Sequence, residues 1–183
     1  MIFVTGHTDG IGEALHKKFG GLGFSRSNGY DLREKKDREK MYAQLDMCSV
    51  FINNAFPYGD DNTKADYMWT QTQILYDVYE KINKESLIIN IGSNTVDENQ
   101  RRIWPYQSAK AGLHKACKQL QYIKGGPKIC SIRLGFCETR KILKKYKPSS
   151  YVTLDKICEC INYIIKSSNE GYLINDMSVN AYE

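Results

Sequence analysis

The sequence predicts an α/β domain built around a doubly wound parallel sheet, and two observations predict it. Short apolar runs alternate with amphipathic stretches along all 183 residues, the pattern of strands joined by crossover helices. The first seam, MIFVTGHTDGIGEAL, sets Gly6, Gly10 and Gly12 between a strand and a helix, where residues that weaken both elements need a reason to be. Glycine there permits a tight turn and lets a group approach the backbone closely. A helix N-terminus, with free N–H groups and the positive end of its dipole, selects an anion such as a phosphate.

Taken in order, Ile2–Thr5 reads as a short buried strand and Ile11–Phe19 as a helix, with Ile11, Leu15, Lys18 and Phe19 at helical spacing and Glu13 in the first turn. A second strand spans Gly23–Arg26. The stretch RSNGYD that follows is too short for the crossover helix that two parallel strands require. The chain is therefore expected to pass straight into a helix over Arg33–Leu45, with Asp31 as its N-cap and Glu34 completing a capping box. Strands follow at Cys48–Asn53, Ser86–Gly92, Lys128–Leu134 and Tyr172–Met177, separated by helices at Thr63–Ile82, Pro105–Ile123 and Leu154–Lys166. No repeat, low-complexity tract or linker divides the chain, and 42% hydrophobic residues suffice for a core, so residues 1–183 are read as a single domain.

Composition excludes several classes. No apolar run approaches the length of a membrane span, and the N-terminus lacks a basic stretch followed by an apolar signal region. Cysteines at 48, 117, 130, 137, 158 and 160 are too scattered for a disulfide scaffold, and the single C-x-C has no second ligand pair for a metal. They read as reduced core thiols of a cytoplasmic protein. A net charge of +5 suits an anionic cofactor but is too mild and dispersed for a nucleic-acid surface.

Four clusters carry the chemistry: T-G-x-x-x-G-x-G at Thr5–Gly12, Asn53-Asn54-Ala55 after an apolar strand, Ser93 past the strand LIINIG, and Tyr106-Gln-Ser-Ala-Lys110 opening a helix. Together, in this order, with the serine 13 residues before the tyrosine, they resemble the short-chain dehydrogenase/reductase family over nearly the whole chain. The resemblance implies a three-layer, Rossmann-like NAD(P)-binding domain. Six strands are expected, in the family's order 2-1-4-5-6-7, with strand 3 and its preceding helix missing. It implies an oxidoreductase that interconverts a carbonyl and an alcohol by hydride transfer. The alternative is a weak or inactive dinucleotide-binding module that senses cofactor or scaffolds a partner.

The residue types fit that chemistry. A tyrosine can give or take the proton at the reacting oxygen, but its ordinary pKa near ~10 is too high for easy work at neutral pH. Lys110, at i+4 on the same helix face, would favour the tyrosinate, and Ser93 can hold the reacting oxygen. By resemblance, Ser93, Tyr106 and Lys110 are the catalytic residues. The cofactor-contacting set is Thr5, Gly6, Gly10, Ile11, Gly12, Ser25, Arg26, Asp31, Asn54, Ala55, Tyr106, Lys110 and Thr139. In this set Gly6, Gly10 and Gly12 admit the pyrophosphate, Asp31 reaches the adenine or merely caps, and Thr139 holds the nicotinamide carboxamide or caps the next helix. Ser25-Arg26-Ser27 suits a 2′-phosphate, so NADP(H) is favoured over NAD(H), although Asp9 stands where NADP-preferring relatives carry a basic residue. Phe56, Tyr58, Trp104 and Phe136 would line an apolar substrate pocket or merely cover the sheet ends. RKILKKYK, Arg140–Lys147, occupies the family's substrate-lid position and otherwise reads as a solvated helix face.

Three departures stand out. The chain is short, the family's NNAG reads NNAF with Phe56 in place of a glycine, and the asparagine that supports the lysine has only Thr70, Gln71 or Thr72 to replace it. Expected partners are a small carbonyl or alcohol substrate and further copies of this chain, as a dimer or tetramer through helices Thr63–Ile82 and Pro105–Ile123. No nucleic acid, membrane or metal is expected.

Overall fold

The computed structural model describes residues 1–56, 68–97 and 105–182. Strands β1 (Ile2–Thr5), β2 (Leu22–Phe24), β3 (Val50–Asn53), β4 (Leu87–Ser93), β5 (Lys128–Leu134) and β6 (Asp176–Val179) form one six-stranded sheet in the order β2-β1-β3-β4-β5-β6. Every pairing is parallel, so each connection must cross over. The crossovers carry α1 (Gly10–Phe19), α2 (Lys35–Tyr42), α3 (Thr70–Lys81), α4 (Pro105–Gln121), α5 (Arg140–Tyr146) and α6 (Leu154–Asn169).

Successive strand residues point to opposite faces, and each face meets its own helices. Phe3, Phe51 and Ile88 pack with Met41, Ile74, Leu75 and Leu113 of α2, α3 and α4. Val4, Ile52 and Ile89 pack with Leu15, Ile157, Ile161 and Ile164 of α1 and α6. The result is three layers. Every residue of β3 and β4 is buried, as a central parallel strand covered on both sides requires.

The missing elements are missing as expected. Between Phe24 and Val50 the chain holds only α2 and two single 3-10 turns, at Arg26–Asn28 and Leu45–Met47, so β2 is the edge of the sheet. Several boundaries differ from expectation. β2 stops at Phe24, because Ser25 caps the 3-10 turn; its N–H donates to Asn28 Oδ1 at 2.9 Å. Ser25 and Arg26 thus lie beyond the strand. Asp31 does not cap α2, whose N-cap is Glu34; the Asp31 carboxylate is instead taken by Arg33, with Oδ2 2.5 Å from Nη2. β6 begins at Asp176, not Tyr172, and Arg140–Tyr146, read from the sequence as a solvated helix face, is the helix α5. Chain segments flanking α5 meet again where Cys137 bridges Val152 in parallel, closing the excursion at a neck. The N-terminal part of the helix expected from Thr63, up to residue 67, lies outside the described residues.

Candidate active site

Strand order reverses between β1 and β3, and the loops leaving their C-terminal ends meet there, the crevice where open α/β sheets take ligands. Thr5 ties the two loops. Its Oγ1 accepts from the N–H groups of Asn54 and Ala55, each at 2.9 Å, and Asn54 Nδ2 donates back to the Thr5 carbonyl at 3.0 Å. Gly6 and Gly10 adopt positive φ, 68° and 54°, which side chains with a Cβ resist. A Cβ on Gly12 would lie 2.1 Å from the Gly6 carbonyl oxygen and 2.6 Å from Asn54 Nδ2, so only glycine lets α1 start this close to the loop. Asp9 stands at the N-cap in extended conformation with no side-chain hydrogen bond to the helix. The first turn of α1 therefore keeps its N–H groups available to a phosphate, and the loop fits a dinucleotide pyrophosphate.

Across β3 and β4 lies a fully buried polar cluster. Asn53 Nδ2 donates to the Gln71 carbonyl and to Asn90 Oδ1, both at 2.9 Å. Gln71, on α3, donates from Nε2 to the Asn53 carbonyl at 2.8 Å and the Ile91 carbonyl at 3.2 Å. Its Oε1 accepts from Lys110 Nζ at 2.7 Å, and the Ile91 carbonyl accepts from the same amine at 2.8 Å. Of Thr70, Gln71 and Thr72, it is Gln71 that reaches the Lys110 amine. Buried positions on α3 are Thr70, Gln71, Ile74, Leu75, Val78 and Tyr79, so Gln71 sits in the apolar stripe that faces the sheet. A glutamine at that phase is the signal a sequence reading could have used.

Lys110 and Tyr106 lie one turn apart on α4, as their spacing requires. Lys110 is 3% exposed, and burial pushes its ammonium down to about 7. Its two carbonyl partners act the other way, favouring the charged form. The Phe56 ring centroid is 5.0 Å from Lys110 Nζ and that of Tyr106 is 5.7 Å. The two rings meet edge to face, centroids 5.0 Å apart at 82°. Phe56 thus stands over the lysine and tyrosine, a placement its expected role as substrate wall did not specify.

Ser93 ends β4 and its Oγ accepts from the Thr95 hydroxyl at 3.0 Å and the Thr95 N–H at 3.3 Å. Thr95 in turn accepts at its carbonyl from Gln107 Nε2, 2.6 Å, beside Tyr106. The turn that carries Thr95 is fastened from beneath: Arg133 on β5 pairs with Asp97 and with Asp176 of β6. Further out, Thr139 does cap α5, its Oγ1 accepting from Ile142 N at 3.4 Å, while its methyl would stand 3.2 Å from a Cβ on Gly10. Ile11 packs against the α1–α6 core, and Phe136 is half exposed with its ring 5.7 Å from that of Tyr146. At the β2 end, Ser25 Oγ is engaged with Ser27 Oγ at 2.8 Å, whereas Arg26 is exposed and its guanidinium makes no hydrogen bond or ion pair among the described residues. Arg33 holds the Asp31 carboxyl below its ordinary pKa. Tyr58 and Trp104 lie outside the described residues.

All six cysteines are unpaired thiols, five of them buried, and no metal-ligating cluster occurs among the described residues. None of the described helices is long and apolar enough to cross a membrane.

No protein-family model and no curated protein matches the sequence. Solved structures do match the fold. A 4-hydroxyisoleucine dehydrogenase complexed with NADH and succinate superposes with a TM-score of 0.77 at 20% identity, covering 98% of this chain and 97% of that one. A closed serine dehydrogenase complexed with NADP+ gives 0.74 at 18% identity, over 97% and 93%. A short-chain dehydrogenase from Sphingobium yanoikuyae in complex with NADPH gives 0.74 at 16% identity, over 96% and 86%. The architecture is that of the Rossmann-like, short-chain dehydrogenase fold.

Proposed function

We propose that this chain is a shortened short-chain dehydrogenase/reductase: an NAD(P)(H)-dependent oxidoreductase acting on a carbonyl or secondary alcohol. The observation that carries the reading is the anchoring of Lys110. Its amine is fixed to the carbonyl of Ile91, two residues before Ser93, and one helical turn from Tyr106, so the three candidate groups share one frame. A dinucleotide, bound at the loop of Gly6, Gly10 and Gly12, would supply the hydride.

The chain's own groups handle the oxygen and the proton. Thr95 donates twice to Ser93 Oγ, which directs the serine's own O–H outward to the reacting oxygen. Tyr106 gives its phenolic proton to that oxygen in reduction and takes it in oxidation. The Lys110 ammonium, 5.7 Å from the Tyr106 ring, favours the tyrosinate through its charge. The exposed guanidinium of Arg26 favours NADP(H), with NAD(H) the alternative.

Fluorescence titration with NADPH and NADH in parallel tests the cofactor assignment, and Tyr106→Phe tests the chemistry. Turnover of an accepted carbonyl should fall by about 10²-fold or more in that variant while dinucleotide affinity persists. Unchanged turnover would end the catalytic assignment. The covering of Lys110 by Phe56 favours the second reading, a dinucleotide-binding module; normal affinity without turnover across a broad carbonyl panel would select it.

A further inference from the structure

We infer that Phe56 is a positioning residue that caps Lys110, and that a dinucleotide must displace its ring to reach the amine; the second half rests on the oxidoreductase reading above. The chain at this point has little freedom. The N–H groups of Asn54 and Ala55 are both held by Thr5 Oγ1, and Ala55 lies against the Gly6 backbone, so the residue that follows is delivered to one place. The ring placed there stands over an amine already held from the other side.

Lys110 Nζ has three N–H directions. Two end on Gln71 Oε1 and the Ile91 carbonyl, at 2.7 and 2.8 Å. The rings of Phe56 and Tyr106, set at 82°, form a corner beside the amine, and the residue as a whole is 3% exposed. An aromatic face is an adequate partner for a desolvated cation and takes the place of water. On the oxidoreductase reading, a hydroxyl of the bound dinucleotide would take the same N–H direction. Tyr106 must stay where it is to meet substrate, so Phe56 is the ring that yields.

The test compares the parent protein with Phe56→Gly and with Phe56→Leu, which removes the π face while keeping bulk. Reductive methylation without cofactor, read by peptide mass spectrometry, reports how fast Lys110 is reached. We expect at least a tenfold faster rate in Phe56→Gly and an intermediate rate in Phe56→Leu. Dinucleotide affinity should tighten about thirtyfold in Phe56→Gly, the scale of one desolvated cation–π contact. Equal methylation rates in all three proteins would overturn the cap. So would weaker dinucleotide binding at an unchanged methylation rate, which would make Phe56 a wall of the binding site. Faster methylation with no dinucleotide bound by any of the three would leave the cap standing and remove the oxidoreductase reading instead.

Discussion

Lys110 concentrates the physical tension of the site. In an unfolded chain a lysine keeps its proton to about pH 10.4. Buried here it releases the proton at about 7. Between those values the unfolded state binds more protons than the native state, so native stability rises with pH across that window and is lowest below it. The slope attributable to this residue is at most about 1.4 kcal/mol per pH unit. Urea unfolding should therefore show greater stability at pH 9 than at pH 7, and Lys110→Met should remove that gain; a parent curve flat across this range would refute the assignment. The roles of single residues were unevenly legible. Gly6, Gly10 and Gly12 announced their loop because backbone conformation is written in residue type. Gln71 stays beside Thr70 and Thr72 in the sequence reading, because its phase with Ile74, Leu75 and Val78 on α3 shows which residue faces the sheet only once that stripe is used as the guide. Phe56 was read as apolar lining, since nothing local says that a ring will meet an ammonium from another helix.

At the scale of elements, buried strands were the most readable and exposed ones the least. β1 and β5 match their expected limits, and β3 and β4 fall within two residues, because each is an apolar-rich run whose residues are nearly all buried. β6 is displaced because the apolar letters of Tyr172 and Leu173 are spent on solvent, 72% and 43% exposed, while the true strand alternates half-buried and exposed residues at the sheet edge. Asp31 was read as a cap from its spacing to Glu34, but Arg33 offers it a bidentate partner two residues away, and the cap moves on. α5 carries only seven residues and depends on its cap. Thr139→Ala should cost that helix about 1 kcal/mol. With basic residues along Arg140–Lys147, limited trypsin digestion should cut there about fivefold faster in the variant, an increase that tracks the open population. An unaltered cleavage rate would show that the neck at Cys137 and Val152, and not the cap, holds the segment.

For the whole molecule, the two cores are unequal in reach. Helices α2, α3 and α4 cover one face and α1 and α6 the other, while β2 hangs at the margin with three residues and a neighbour on one side only. Removing a strand from that end leaves the frame of Ser93, Tyr106 and Lys110 intact, because it is built on β3, β4, α3 and α4. It places the shortest strand next to Arg26. Cooperative units with few buried partners open first, without unfolding the rest. In amide exchange, Leu22–Phe24 and the turns after it should lose protection well before β3 and β4, and a bound dinucleotide should slow that segment most. Uniform protection across the sheet would contradict this. On the proposed reading, such a protein would renew its grip on the adenosine half of a dinucleotide by repeated local closure, while the half built around Lys110 and Gln71 stays closed.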